Sequence, residues 1–205
     1  MGEVAREAAP AHRYAIITDT NVEPLYAGRV TASFGTAESD VFRVQAGEAQ
    51  KTRESWAHLT DEMLARGFGR DSCTIALGGG VVGDLAGFVA ATFMRGIPFI
   101  QVPTTLLAMI DASIGGKTGV DAPAGKNLVG AFHHPAAVLA DPGALATLPS
   151  PELRAGLAEA IKHGVIADAA YFKQVADCAP QLADVPSGDT MQAIITRSIE
   201  IKAGV

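Results

Sequence analysis

The stretch Thr74–Phe88, TIALGGGVVGDLAGF, constrains the fold more than any other part of this chain. It opens on an apolar, β-branched run too short for a helix, breaks at Gly78, Gly79 and Gly80, and resumes as an apolar sequence rich in small residues. A short buried strand delivered through glycines into a helix is the unit from which parallel α/β sheets are built. Gly78, Gly80 and Gly83 also satisfy the G-x-G-x-x-G spacing. In that motif the helix N-terminus offers free N–H groups and a partial positive charge to a pyrophosphate. The plain alternative is a tight turn between strand and helix.

The flanking sequence repeats the pattern. RYAIITD (Arg13–Asp19), a segment around Val41–Val44, SCTIAL (Ser72–Leu77), FIQVP (Phe99–Pro103) and AAVLAD (Ala136–Asp141) read as strands. Thr52–Arg66 sets Trp56, Leu59, Met63 and Leu64 at helical spacing, closed by Gly67 and Gly69, and a second helix is expected from about Asp84. The alternation predicts a Rossmann-like α/β domain with a parallel sheet over residues 1–149. Residues 1–12 carry no strand pattern and read as a loose leader. From Ser150 onward only helical patterns occur. Ser150 and Pro151 followed by Glu152 make a good helix start, and Met191, Ile194, Ile195 and Ile199 fall at i, i+3, i+4 and i+8. This last pattern runs close to Val205, so residues 150–205 read as the start of a second, all-helical domain that the chain truncates.

Charge and cysteine content narrow the function. With 16 Lys+Arg against 22 Asp+Glu the formal net charge is −6, which argues against general nucleic-acid binding. A few placed lysines can still dominate a pocket for a small anion. Cys73 and Cys178 sit in unrelated settings with no metal-type or redox-type pairing, so reduced, buried thiols are expected. No apolar stretch is long enough to span a bilayer and no signal pattern opens the sequence. The expectation is a soluble, cytoplasmic protein with no membrane partner.

Three groups of residues could carry chemistry. In the strand order above, the glycine loop follows the third strand instead of the first, and no clean acid stands about 20 residues on to take a ribose. Asp19, at the end of the first strand, and Glu48 with Lys51 in GEAQK could supply that recognition. The second group lies in PTTLLAMIDASIGGKTGVDAPAGKNLVGAFHHP. It carries Thr104, Thr105, Asp111, Lys117, Lys126 and Asn127 among small and apolar positions. Hydroxyls just past a strand's carboxyl end are where open parallel sheets bind ligands, and glycines beside lysines let backbone approach an anion. This segment reads as a long functional loop. The third group is Glu159, Lys162 and His163, at i, i+3 and i+4 on one side of a helix. Glu159 could bind a metal with His163 or with ligands from elsewhere, and an ordinary Glu–Lys pair on a wet face remains open. His133–His134 before Pro135 reads as structural, and neither an H-E-x-x-H nor a G-x-S-x-G motif occurs.

In order and spacing, GEAQKT, the long stretch from Gly78 to Asp121, GKNLVGAFHHP, TLP and GLAEAIKHG resemble the 3-dehydroquinate synthase family. The resemblance covers nearly all of Asp19–Gly164. It implies that NAD is held by Asp19, Glu48, Lys51, Gly79, Gly80, Val81, Asp84, Thr104, Thr105 and Lys126, with Thr147, Leu148 and Glu152 near it. It implies that Asp111 and Lys117 touch both cofactor and the reacting region. Lys117, Asn127 and Lys162 resemble positions that grip the substrate's phosphate and carboxylate, and Arg95 resembles one that reaches the site from the partner in a homodimer. Glu159 resembles a carboxylate that binds the divalent metal, zinc or cobalt.

The family's reaction turns a phosphorylated seven-carbon sugar acid, 3-deoxy-D-arabino-heptulosonate 7-phosphate, into 3-dehydroquinate and phosphate in aromatic amino-acid synthesis. It proceeds by transient NAD oxidation, phosphate loss, re-reduction and aldol closure. The family's two further metal ligands, both histidines, fall beyond Val205, so the resemblance implies weak NAD binding at best and no turnover for this stretch alone. Other readings are a sister sugar phosphate cyclase, a metal-dependent dehydrogenase of the glycerol dehydrogenase type, and a non-catalytic NAD-binding or dimerisation module.

Overall fold

The computed structural model describes residues 1–182 and 188–204. Its strands are β1 (Arg13–Asp19), β2 (Glu38–Val44), β3 (Ser72–Gly78), β4 (Phe99–Pro103), β5 (Lys117–Ala122), β6 (Gly125–Phe132) and β7 (Ala137–Val138). Five of them pair in parallel in the order β2-β1-β3-β4-β7, and β5 and β6 form a separate antiparallel hairpin. β3 is buried along its whole length, as its continuous apolar run requires of a strand covered on both faces. The chain runs outward from β1 to β2 and returns to β3 on the other side of β1. The strand order therefore reverses between β1 and β3, where a crevice opens at the carboxyl ends.

Helices α1 (Gly2–Ala8) and α2 (Gly28–Ser33) cover one face of the sheet, where Tyr14, Ile16, Phe34, Ile75 and Ile100 pack together. On the other face lie α3 (Arg53–Ala65) and α4 (Gly80–Thr92), packed on Phe42, Ala76 and Phe99. Helix α3 starts where expected, with the Thr52 hydroxyl accepting from the Ser55 amide. Helix α4 is gripped from two sides. A Cβ on Gly83 would stand 2.8 Å from Gln101 Oε1, and one on Gly87 would stand 2.5 Å from Thr118 Cγ2 and 3.2 Å from Phe99 Cε2. Its glycines thus set the spacing to β4 and to the hairpin.

Beyond the sheet, α5 (Ser150–Ala167), α6 (Ala169–Leu182) and α7 (Asp189–Ala203) close a second core around Leu157, Tyr171, Val175, Met191 and Ile194. Leu106, Met109 and Ile110, from the turn after β4, join that core. The helical expectation for 150–205 holds among the described residues; residues 183–187 and Val205 lie outside them. No helix among the described residues is long and apolar enough to cross a membrane.

Several expectations need correction. The supposed leader is helical from Gly2 to Ala8, because Ala5 and Ala9 are buried beside Tyr14, whose hydroxyl donates to the Ala9 carbonyl at 3.0 Å. The segment before β2 contains α2, and α4 begins at Gly80 and not near Asp84. AAVLAD contributes only the two residues of β7. The long loop is in large part the β5–β6 hairpin, in which Gly119 faces Gly130 so closely that a Cβ on Gly130 would lie 2.1 Å from the Thr118 carbonyl oxygen.

The packing of α5 offers a test of this arrangement. In Gly156→Ala the new Cβ falls 2.6 Å from Leu106 Cβ and 2.8 Å from Leu107 N, overpacking that costs about 1–3 kcal/mol. Gly28→Ala, a helical position with open space around the new Cβ, stabilises by about 0.4–1 kcal/mol through the unfolded state. Thermal unfolding of the two variants should therefore shift in opposite directions.

Candidate active site

A cleft of about 870 Å³ opens at the carboxyl ends of β1, β3 and β4, the place where the strand order reverses. The glycine loop lies there although it follows β3, because the crevice is flanked by the loops after both β1 and β3. Asp19 ends β1 and turns the chain, its Oδ1 accepting from the amides of Asn21 (2.8 Å) and Val22 (2.9 Å). Gly79 caps α4 without a side-chain bond and no acid stands in the first turn, so the amides of that turn and the helix dipole are left for a ligand. A Cβ on Gly79 would come within 3.1 Å of Thr105 Cγ2, closing this end of the cleft.

The structure brings most of the expected cofactor residues together here. Asp19, Glu48 and Lys51 line one side, Gly79, Gly80, Val81 and Asp84 the base. Thr104 and Thr105 follow β4, and Thr147, Leu148 and Glu152 close the far side. Lys126 stands outside the wall but reaches Glu48 Oε1 at 3.1 Å. A pyrophosphate-bearing dinucleotide fits this set: a free helix N-terminus, close-packed glycines, hydroxyls and peripheral carboxylates.

A second cavity of about 460 Å³ adjoins it, walled by Asp84, Asp111, Lys117, Asn127 and Lys202 together with the hairpin. Asp84 borders both spaces. Between them sits Lys51, only 4 % exposed. Its Nζ donates to Asn127 Oδ1 at 2.7 Å and lies 3.3 Å from Glu48 Oε1, 3.3 Å from Asp84 Oδ2 and 3.6 Å from Asp121 Oδ1. Burial works against this ammonium, but Asp84, Glu48 and Asp121 together outweigh it and hold its pKa above the ordinary lysine value. Asp84 moves in the opposite sense to what a lysine neighbour alone would give. Burial lifts its carboxyl above the usual aspartate range, with Glu48 and Asp121 adding to the rise against the pull of Lys51.

On the side toward the helices, the ligand atoms of Asp111, Glu159 and His163 all lie within 4.8 Å of one another. Lys202 Nζ stands 2.8 Å from Asp111 Oδ1, and Lys162 Nζ 2.5 Å from Glu159 Oε1. The close Glu159 carboxylate raises the Lys162 pKa. Asp111 Oδ1 and Glu159 Oε1 are buried and, although these ammoniums are near, neither accepts a well-aligned hydrogen bond. Two carboxylate oxygens and an imidazole suit a divalent cation of the zinc or cobalt kind, so the residues fit a metal. His163 is itself held from behind. Its Nδ1 is 3.2 Å from Ser198 Oγ, which is 2.6 Å from the Tyr171 hydroxyl, and that hydroxyl donates to the Ile194 carbonyl at 3.1 Å.

Arg95 is not brought to either cavity of its own protomer. It lies past the C-terminal end of α4, exposed, in a left-handed backbone with φ 71°, while the N-terminal end of the same helix borders the cleft. His133 behaves as a structural residue, its Nε2 2.9 Å from the Ile97 carbonyl and its ring stacked on Phe99.

Comparison with known proteins agrees with this geometry. The family model for the N-terminal part of 3-dehydroquinate synthase matches residues 41–155, and that for the C-terminal part matches residues 156–205. The chain belongs to the 3-dehydroquinate synthase family. A 3-dehydroquinate synthase of Symbiobacterium thermophilum is 49% identical over the whole of this chain and 58% of its own length. Among solved structures, the 2-epi-5-epi-valiolone synthase of Streptomyces hygroscopicus, with NAD+ and Zn2+ bound, superposes with a TM-score of 0.88 at 33% identity, over 93% of this chain and 54% of that one. A 2-deoxy-scyllo-inosose synthase complexed with carbaglucose-6-phosphate, NAD+ and Co2+ gives 0.88 at 31% identity, over 100% of this chain and 57% of that one. Iron-containing alcohol dehydrogenases share the fold at 13% identity. The chain thus spans little more than half the length of these relatives.

Sequence reasoning passed over Lys202, Asp121 and Tyr26. Lys202 had a visible signal: with Ile195, Ser198 and Ile199 it falls on the inward stripe of α7, where a charge is out of place unless it is used. Asp121 and Tyr26 had none, since each acts through distant partners; the Tyr26 hydroxyl reaches Thr147 Oγ1 at 2.5 Å.

The raised pKa of Asp84 has a signed consequence. An acid that binds its proton more tightly when folded stabilises the fold at low pH, and that contribution is lost as pH rises through its folded pKa, above the unfolded value of about 3.9. Urea midpoints measured from pH 4 upward should contain this loss in the wild type, and Asp84→Asn should remove that component of the slope. An unchanged slope in the variant would contradict the assignment.

Proposed function

We propose that the whole protein is a 3-dehydroquinate synthase, with residues 1–149 as its NAD-binding unit and 150–205 as the start of its helical metal- and substrate-binding domain. The observation that carries this reading is the contact of two spaces at Asp84: a cleft suited to a dinucleotide beside a smaller cavity lined by Lys117, Asn127 and Lys202. A dinucleotide lying along the cleft would meet the smaller cavity at Asp84, beside the side chains that would hold a small anionic substrate. NAD, when bound, supplies reversible oxidation of one substrate hydroxyl, and a divalent cation at Glu159, with Asp111 and His163 in reach, supplies polarisation of that oxygen.

The chain's own residues then do the binding and orienting. Lys117 and Lys202 are cations for phosphate and carboxylate oxygens, and Asn127 adds a neutral donor with a fixed direction. Lys162, paired with Glu159 and more than half exposed, can turn its ammonium toward the leaving phosphate.

The 49% identity to a 3-dehydroquinate synthase favours that substrate. The sister cyclases are the second reading, supported by the two solved structures above at 33% and 31% identity; product analysis separates them. We also propose a cytoplasmic homodimer, in which Arg95 serves the partner's site. Support comes from its exposed position away from its own cavities and from the exposed Leu128 and Phe132 on the hairpin. Turnover, on this reading, needs the remaining length that the relatives carry.

Phosphate release from 3-deoxy-D-arabino-heptulosonate 7-phosphate, assayed on the full-length protein with and without NAD and a chelator, tests the proposal. Lys162→Ala and Glu159→Ala should each reduce release to near background. Near-normal turnover in both variants would remove these residues from the site.

A further inference from the structure

Lys51 lines the larger cleft and contacts both Asp84, which borders the two cavities, and Asn127, which lines the smaller one. An ammonium has three N–H donors, yet four side-chain oxygens surround it, on Glu48, Asp84, Asp121 and Asn127. The shortest of these contacts, 2.7 Å, goes to Asn127 and not to a carboxylate. Since an ammonium can only donate, the oxygen of the Asn127 amide faces Lys51, and the NH2 group is what Asn127 has left for the smaller cavity that it lines.

The backbone around Asn127 is held to the same point. Asn127 has φ 57°, in the left-handed region, and its amide donates to Asp121 Oδ1 at 2.8 Å. The Asp121 amide in turn donates to the Lys51 carbonyl at 2.8 Å. The hairpin tip is thereby tied to the Gly47–Lys51 turn, which forms a wall of the larger cleft through Gly47, Glu48 and Lys51. The two walls share one pivot, and its charge is buried.

We propose that Lys51 is a positioning residue that couples the two cavities, fixing the donor face of Asn127 according to what occupies the larger cleft. The sign follows from the donor count. Hydroxyl or amide donors of a dinucleotide that bond Glu48 or Asp84 relieve the competition for the three ammonium protons, and Lys51 then binds Asn127 more firmly. An anionic substrate meets a better-ordered donor, so each ligand tightens the other. This inference rests on the reading of the larger cleft as a NAD site.

The test measures NAD+ affinity of the full-length protein by calorimetry, with and without saturating phosphonate analogue of the heptulosonate phosphate, which cannot eliminate its phosphorus group. In the wild type the analogue should tighten NAD+ about five- to tenfold, and by reciprocity NAD+ should tighten the analogue by the same factor. Lys51→Met should bring that factor to near one. Because Lys51→Met strips three carboxylates of their buried counter-charge, its folding is not assured, and Asn127→Gly carries the test independently. Glycine accepts φ 57° and leaves Lys51 with its carboxylates, and the factor should again fall to near one. A wild-type factor that persists in Asn127→Gly overturns the inference, as does a wild-type factor of one with NAD+ bound. Failure of NAD+ to bind the wild type at all overturns the cofactor reading and the inference together.

Discussion

The site depends on how closely α4 lies against two different partners at once. A helix with ordinary side chains keeps its neighbours about 10 Å away, but Gly83 and Gly87 let β4 and the hairpin press in on it. The glycine pair Gly119 and Gly130 lets the two hairpin strands close on each other in the same way. Lys117, Asn127 and Asp84 can therefore share one small space although they come from different elements. The same helix puts its N-terminus in the crevice between β1 and β3, so one packing decision positions the dinucleotide cleft and the wall of the anion cavity together.

Electrostatics completes what packing begins. Lys51 is surrounded by more carboxylate than its single charge can balance, and Lys126 at Glu48 makes up part of the difference from outside. Such a group resists removal, since taking the ammonium away leaves the half-buried Asp84 and Asp121 without their counter-charge. A similar economy holds near the helices, where Lys202 and Lys162 face Asp111 and Glu159. Asp111 and Glu159 thus each have a basic neighbour that can also serve an anionic ligand.

Much of the sheet was legible because buried parallel strands read as unbroken β-branched runs, as in β1, β3 and β4. The hairpin was not, because Gly119, Gly125 and Gly130 with Lys117, Lys126 and Asn127 give no alternation and no run of strand formers. Helix α2 escaped because Pro24 and Gly28 interrupt its stretch, and its helicity comes from burying Val30 and Ala27 beside Phe34. In the site, the local signals alone left each group ambiguous: glycines could be a turn, and Glu159 with Lys162 a surface pair. The order of motifs along the chain, through its resemblance to a family, proposed which residues meet. What neither could show was the crossing of partners far apart in sequence, such as Lys51 with Asn127 or Lys202 with Asp111.

The buried line Tyr171–Ser198–His163 has a meaning beyond holding one imidazole. It joins α5, α6 and α7 through directional hydrogen bonds, at least one of which breaks if any helix slips by a turn, whereas apolar contacts among Leu157, Val175 and Ile194 would tolerate many offsets. Polar pairing of this kind acts as an alignment key for three helices. It fixes where the far end of α7 arrives, and thus sets Lys202 over Asp111 at the mouth of the smaller cavity and not a turn away in solvent.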